Sequence, residues 1–171
     1  MRQYRWFIGV ATLGILLDQL TKELILSSMS LHQSLELLRN FAHITYVRNP
    51  GAAFGILADN SLRLPFFILV SVVAALGILW YLRRVQGGNL RLQIGLGLIF
   101  SGALGNLIDR IRFSEVIDFI DIHWYQYHWP AFNVADSAIC VGVGLLLLDS
   151  WLEEKAKRPK QKFGKNNKIR D

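Results

Sequence analysis

Four stretches of this chain are apolar over enough length to cross a lipid bilayer. They run Trp6 to Leu26, Pro65 to Leu82, Leu92 to Ile108 and Ala131 to Trp151. A hydrocarbon layer of roughly 30 Å takes about 20 residues of helix. It offers no water to an unpaired backbone group, so spanning segments of this length must close their hydrogen bonds internally, as helices. The second stretch carries no charge; the third holds Gln93 and Asn106 near its ends. With 171 residues, 52% hydrophobic, 19% charged and a mean hydropathy of +0.30, the chain reads as one membrane unit, not several soluble domains. The expected fold class is membrane α-helical. It has four transmembrane helices in a domain over residues 1–152 and a basic tail over 153–171.

The basic residues orient the bundle. Arg2 and Arg5 precede the first stretch, and Arg83, Arg84 and Arg91 lie between the second and third. Residues 153–171 carry eight Lys/Arg against three acids, so five of the chain's net +6 charges lie there. Cytoplasmic loops concentrate Lys and Arg, which places these regions and both termini in the cytoplasm. The tail, with Pro159, Gly164 and Asn166-Asn167 among its lysines, reads as a solvated, disordered end and not as a nucleic-acid surface. The first stretch contains Asp18 and Lys22 and no small-residue cleavage site follows it, so it reads as an uncleaved span.

That orientation leaves residues 27–64 and 109–131 on the outer side. The unusual polar residues then gather at one depth on that face: Asp18, Lys22, Asn49, Asn106, Asp109, Arg110, Asp118, Asn133 and Asp136. Twelve uncharged residues follow Asp136, which puts it about one turn inside the last span. A carboxylate there costs roughly 2.5–3.5 kcal/mol on insertion scales and by default marks function. Asp118 arrives from the preceding outer loop. Two carboxylates in one low-dielectric site cannot readily both ionise, and that division suits one to act as base and the other as acid. Asn49, Asn106 and Asn133 offer neutral donors to a substrate backbone or an oxyanion.

Other features have plainer explanations. Asp18 and Lys22, four residues apart, share a helix face and can neutralise each other. Gly102, Ala103 and Gly105 suit close helix packing. His123 and His128 do not have zinc-ligand spacing, and Trp124, Tyr125, Tyr127 and Trp129 around them suit an interfacial aromatic belt. Asp121 reads as a solvated surface acid, and Cys140 as a small core residue. Leu35 to Arg39 and Phe41 to Arg48 predict a hairpin turning at Arg39-Asn40. Pro50-Gly51 predicts a turn, and Ala52 to Asp59 a short interfacial helix.

The motifs DQLTK (18–22), RNPGAAFGIL (48–57), GALGNLIDR (102–110), VIDF (116–119) and FNVADS (132–137) resemble, in this order, those of lipoprotein signal peptidases, the bacterial type II signal peptidases. The resemblance covers residues 18 to 137. It implies an aspartyl endopeptidase of the bacterial inner membrane that removes the signal peptide from diacylglyceryl-modified prolipoproteins, cutting before the lipidated cysteine. It further implies catalytic residues Asp118 and Asp136. Supporting positions are Asp18, Lys22, Asn49, Gly51, Asn106, Asp109, Arg110, Asn133 and Ala135. No cofactor or metal is implied; the partners are lipidated prolipoproteins and membrane lipid, the enzyme is expected to be a monomer, and the family inhibitor globomycin is expected at the dyad. Ser101 departs from the glycine often found before GALGN in that family. The rival from another class is a small proton-coupled carrier, which would hold its charges near the bilayer midplane on a through-path. A scaffold protein would need no carboxylate pair.

Overall fold

The computed structural model describes residues 2–51, 61–86 and 88–157. The interfacial helix expected over Ala52 to Asp59 and the tail beyond Lys157 lie outside these residues. After a short 3-10 turn (Arg2–Tyr4), the elements are α1 (Arg5–Ser28), the strands β1 (Ser34–Leu38) and β2 (Ala42–Asn49), then α2 (Arg63–Arg84) and α3 (Leu90–Phe113), and finally β3 (Val116–Trp124), β4 (Tyr127–His128) and α4 (Val134–Lys157). Each helix extends its expected span by one to six residues at one or both ends, except that α4 starts three residues later.

α2, α3 and α4 are long and apolar enough to cross a membrane. α1 is equally long but carries Arg5, Asp18, Lys22 and Glu23, so its composition alone does not qualify it. Its faces explain those charges. The inward face holds Phe7, Ala11, Asp18, Lys22 and Ile25, while Leu13, Leu16, Leu20 and Leu24 point outward. Its polar groups face the bundle interior and its leucines point outward. α3 packs against all three other helices. Asn89 caps its start by accepting the Leu92 N–H at 2.9 Å, and Ser114, in the left-handed region, ends it.

Small residues set the helix spacing around α3. A Cβ on Gly102 would overlap the Ala135 carbonyl oxygen of α4, and one on Gly105 would lie 3.0 Å from the Asp18 Cγ of α1. The serine at 101 is accommodated by a glycine opposite it: a Cβ on Gly14 would come within 2.7 Å of the Ser101 Cβ. Ser101 Oγ satisfies itself on the Leu98 carbonyl at 2.8 Å.

The strands form one antiparallel sheet, ordered β1-β2-β3-β4, at the end of the bundle where α1 and α3 finish. The expected hairpin is present, with Asn40 at φ 58° in its turn. What was expected to be an outer loop over 109–131 is mostly regular: α3 runs on to Phe113, and β3 occupies the sheet interior between β2 and β4. Its residues Val116 to Phe119 are buried, and Ile117 and Phe119 form with Ile25, Met29 and Tyr46 the core that joins sheet to bundle. Burial on both faces replaces the alternation by which a strand is usually read.

Candidate active site

β2 and β3 deliver one side of the site, and a bulge sets which residues they present. Ile44 pairs with Ile120, yet Val47 pairs with Asp118, so β2 spends one extra residue there. Such an insertion switches the face of every residue beyond it. Val47 and Asn49 thereby share the face of Asp118, and Asn49 Nδ2 donates to Asp118 Oδ2 at 3.0 Å. The Asn49 Oδ1 accepts the Gly51 N–H at 3.0 Å, which holds the start of the Pro50-Gly51 turn.

The N-terminus of α4 delivers the other side. Asn133 Oδ1 accepts the Asp136 N–H at 2.9 Å, and Asp136 Oδ2 accepts the Asn133 N–H at 3.2 Å. This reciprocal pairing is a capping box in which aspartate takes the place usual for glutamate. It starts α4 at Val134 and holds the Asp136 carboxylate against the helix end, where the dipole favours negative charge. Asn133 is fully buried. Its Nδ2 donates to Asp118 Oδ1 at 2.7 Å, with the Ile117 carbonyl and Asn106 Oδ1 each 3.2 Å away. One asparagine therefore cements both carboxylates.

Behind them lies a buried ionic layer. Lys22 Nζ donates to Asp18 Oδ2 at 2.9 Å, Asp109 Oδ2 at 2.8 Å and Asn106 Oδ1 at 3.1 Å, which uses its three hydrogens. Asn106 Nδ2 passes the connection on to Asp136 Oδ1 at 2.8 Å. Asp18 also accepts the Ala135 N–H at 2.9 Å, and Asp109 the Ile117 N–H at 3.1 Å. The two acids thus tie α1 to α4 and α3 to β3. Asp18, Lys22 and Asp109 are at most 1% exposed. A buried lysine between two carboxylates leaves no charge without a partner, the condition under which burial is tolerable.

Asp118 lies on β3, outside the helices, and is 2% exposed. Burial, and secondarily the charge of Asp136, push its carboxyl up to about 7, against the pull of hydrogen bonds from Asn49 and Asn133. Both carboxylates open onto one cavity of about 560 Å³. Arg110, Trp129, Phe132 and Ser137 also line it, and it extends along α4 to Cys140.

All nine supporting positions named from the sequence fall in or directly behind this cluster, with some roles altered. The Asp18–Lys22 pair exists, but Asp109 shares its lysine. Arg110 reaches the Gly51 carbonyl at 3.4 Å and lies 4.8 Å over the Phe67 ring. Asp121 is only 14% exposed and is paired with His128 at 2.9 Å; three residues from Asp118, it points to the opposite face of the strand. His43, His123 and His128 stack with ring centroids 4.6 and 4.5 Å apart. Among the described residues no group of three His, Cys, Asp or Glu could hold a metal. Cys140, read as a core residue, is exposed because α4 turns that face towards the cavity. Gln19 was missed: its Nε2 lies 3.1 Å from Asp18, 3.2 Å from Asp109 and 3.3 Å from the Gly105 carbonyl. An uncharged polar residue inside a span beside Asp18 was the available signal.

Residues 10–152 match the family described as Signal peptidase (SPase) II. The chain belongs to the signal peptidase II family. It is 56% identical to a lipoprotein signal peptidase of Geobacter sulfurreducens, over 91% of this chain and 98% of that protein. To one of Syntrophotalea carbinolica it is 53% identical, over 88% and 94%. A bacterial membrane enzyme solved by the in meso method at 2.3 Å superposes with a TM-score of 0.80 at 35% identity, covering 91% of this chain and 93% of that one. A second, solved at 1.9 Å, gives 0.72 at 33% identity, covering 84% and 91%. Like its family, the chain is a peptidase and a multi-pass membrane protein.

Proposed function

We propose that this peptidase removes the signal peptide from diacylglyceryl-modified prolipoproteins, cutting before the lipidated cysteine, with Asp118 and Asp136 as its catalytic dyad. One observation carries the dyad: two carboxylates, brought from a strand and a helix and joined through Asn133, open onto the same cavity. Asp118 enters as the protonated acid and Asp136 as the carboxylate. Asp136 takes a proton from water as its oxygen attacks the scissile carbonyl carbon, while Asp118 gives its proton to the carbonyl oxygen. The proton on Asp136 then passes to the departing amide nitrogen, Asp118 recovers one from the collapsing hydroxyl, and the peptide bond breaks. Arg110 and Asn49 line the cavity where substrate backbone would lie. The acyl chains of the substrate anchor it in the membrane beside the site, at ~0.8 kcal/mol per buried CH₂.

In this proposal α1 is the fourth span. Arg5, Arg83, Arg84, Arg91, Lys155 and Lys157 all lie at the helix ends away from the dyad, which supports cytoplasmic termini and a dyad near the outer leaflet of the bacterial inner membrane. The enzyme acts as a monomer with neither cofactor nor metal, and globomycin occupies the dyad cavity. The test is turnover of a lipidated prolipoprotein peptide by the purified chain in nanodiscs, compared with the unlipidated peptide. Equal cleavage of both peptides would remove the lipid-dependent substrate, and no cleavage of either would remove the proposal.

A further inference from the structure

The end of the bundle opposite the dyad holds a second cavity, of about 580 Å³, lined by Gln3, Arg5, Trp6, Gln86, Gly88, Leu90 and Gln93. Along α3, Gln93 precedes Asn106 by thirteen residues, or about 20 Å at 1.5 Å per residue, so this cavity is separate from the catalytic one. Its floor carries an unusual group. Gln93 is only 7% exposed; its Nε2 donates to the Gly88 carbonyl at 3.3 Å, but its Oε1 is buried with no hydrogen-bond partner among the described residues. A buried acceptor left unpaired costs about 1–3 kcal/mol, so a donor is expected to reach it. At the mouth, the exposed Arg5 guanidinium lies 5.2 Å from the Trp6 ring, and Trp6 is itself exposed. An indole beside a cation at the first turn of a membrane helix sits at headgroup depth.

We propose that this cavity binds the headgroup of a cytoplasmic-leaflet glycerophospholipid that carries a hydrogen-bond donor beyond its phosphate, such as phosphatidylethanolamine or phosphatidylglycerol. The phosphate pairs with Arg5, the terminal ammonium or hydroxyl donates to Gln93 Oε1, and Trp6 covers the glycerol. Phosphatidylcholine has the same phosphate but no donor, so it satisfies Arg5 and leaves Gln93 unpaired. The membrane position of this end follows from the proposed topology; the binding itself does not depend on peptidase activity.

Native mass spectrometry of the full chain, released from detergent with each lipid in turn, tests the site without reference to cleavage. Wild type should retain one phosphatidylethanolamine or phosphatidylglycerol about tenfold more strongly than phosphatidylcholine, the scale of one hydrogen bond. Gln93→Leu should abolish that preference while keeping the weaker phosphatidylcholine binding. Arg5→Gln should weaken all three lipids alike, and because Arg5 is exposed it keeps the assay informative if Gln93→Leu fails to fold. Retention of phosphatidylcholine equal to the other two in wild type, or an unchanged preference in Gln93→Leu, would overturn the proposal. So would displacement of the lipid by inorganic phosphate at matched concentration, which would leave an anion site only.

Discussion

Asp118 and Asp136 differ in how they are held, and that difference is testable residue by residue. Asp118→Asn and Asp136→Asn should each lower turnover of a lipidated peptide by a factor of roughly 10³ or more, since asparagine can neither accept nor return a proton. Near-normal rates from either variant would dissolve the dyad. The pH profile follows from Asp118, whose carboxyl burial raises to about 7. It carries its proton below that value, so kcat should fall as pH rises through about 7. Stability has the same sign: a carboxyl raised on folding favours the folded state at low pH and loses that contribution as pH rises through its folded value. Melting temperature should therefore decline from about pH 4 to about pH 7 and level off above, by an amount equivalent to at most on the order of 4 kcal/mol. Asp118→Asn should flatten that decline, and an unchanged slope would show that the carboxyl titrates elsewhere.

Elements meet at this site through buried contacts that tolerate little change. Lys22→Met would leave Asp18 and Asp109 facing each other without a counter-charge, at a cost of about 3–5 kcal/mol. Because those acids hold the Ala135 and Ile117 N–H groups, activity should fall along with stability. Adding Asp109→Asn to Lys22→Met should recover part of the melting temperature, and a double variant no more stable than the single would refute the ionic account. Gly105→Ala probes the same junction from α3. Its methyl would press on Asp18, costing about 1–3 kcal/mol as overpacking does, and a variant with unchanged melting temperature and turnover would show that α1 and α3 have room to spare. Arg110, with its carbonyl contacts at the cavity edge, should behave differently: Arg110→Ala should reduce turnover more than it reduces stability.

Across the whole molecule, polarity is arranged inside out. Leucines of α1 and apolar residues of α2 such as Leu69, Val73, Leu76 and Trp80 are exposed, while Asp18, Lys22, Asp109 and Asn133 are buried. Only a lipid surround makes that arrangement favourable, because hydrocarbon welcomes the leucines and penalises the charges. A reporter fused after Asp171 should read as cytoplasmic, and a periplasmic signal would invert the topology. Cleavage should persist in EDTA, and loss of activity that zinc restores would replace the two-carboxylate chemistry with a metal-dependent one.

Local chemistry alone determined much of this protein. Hydrocarbon thickness sets helix length, so the apolar stretches were legible, as was the hairpin whose turn falls at Asn40. The cost of charge in lipid made Asp18, Lys22, Asp109 and Asp136 stand out, and motif order extended that to Asn49, Asn106 and Asn133. What remained was decided by contacts between distant segments. β3 hides its period because both faces of Val116 to Phe119 are buried, so it read as a loop. The bulge between Ile44 and Val47 exists only as a register between two strands, yet it turns Asn49 towards Asp118. Whether Lys22 serves Asp18 alone or also Asp109 depends on how close α1 and α3 approach. That distance is set by Gly105, a residue whose contribution is the absence of a side chain. Sequence can show which groups are too costly to be idle, but only the packed structure decides which neighbours compensate them.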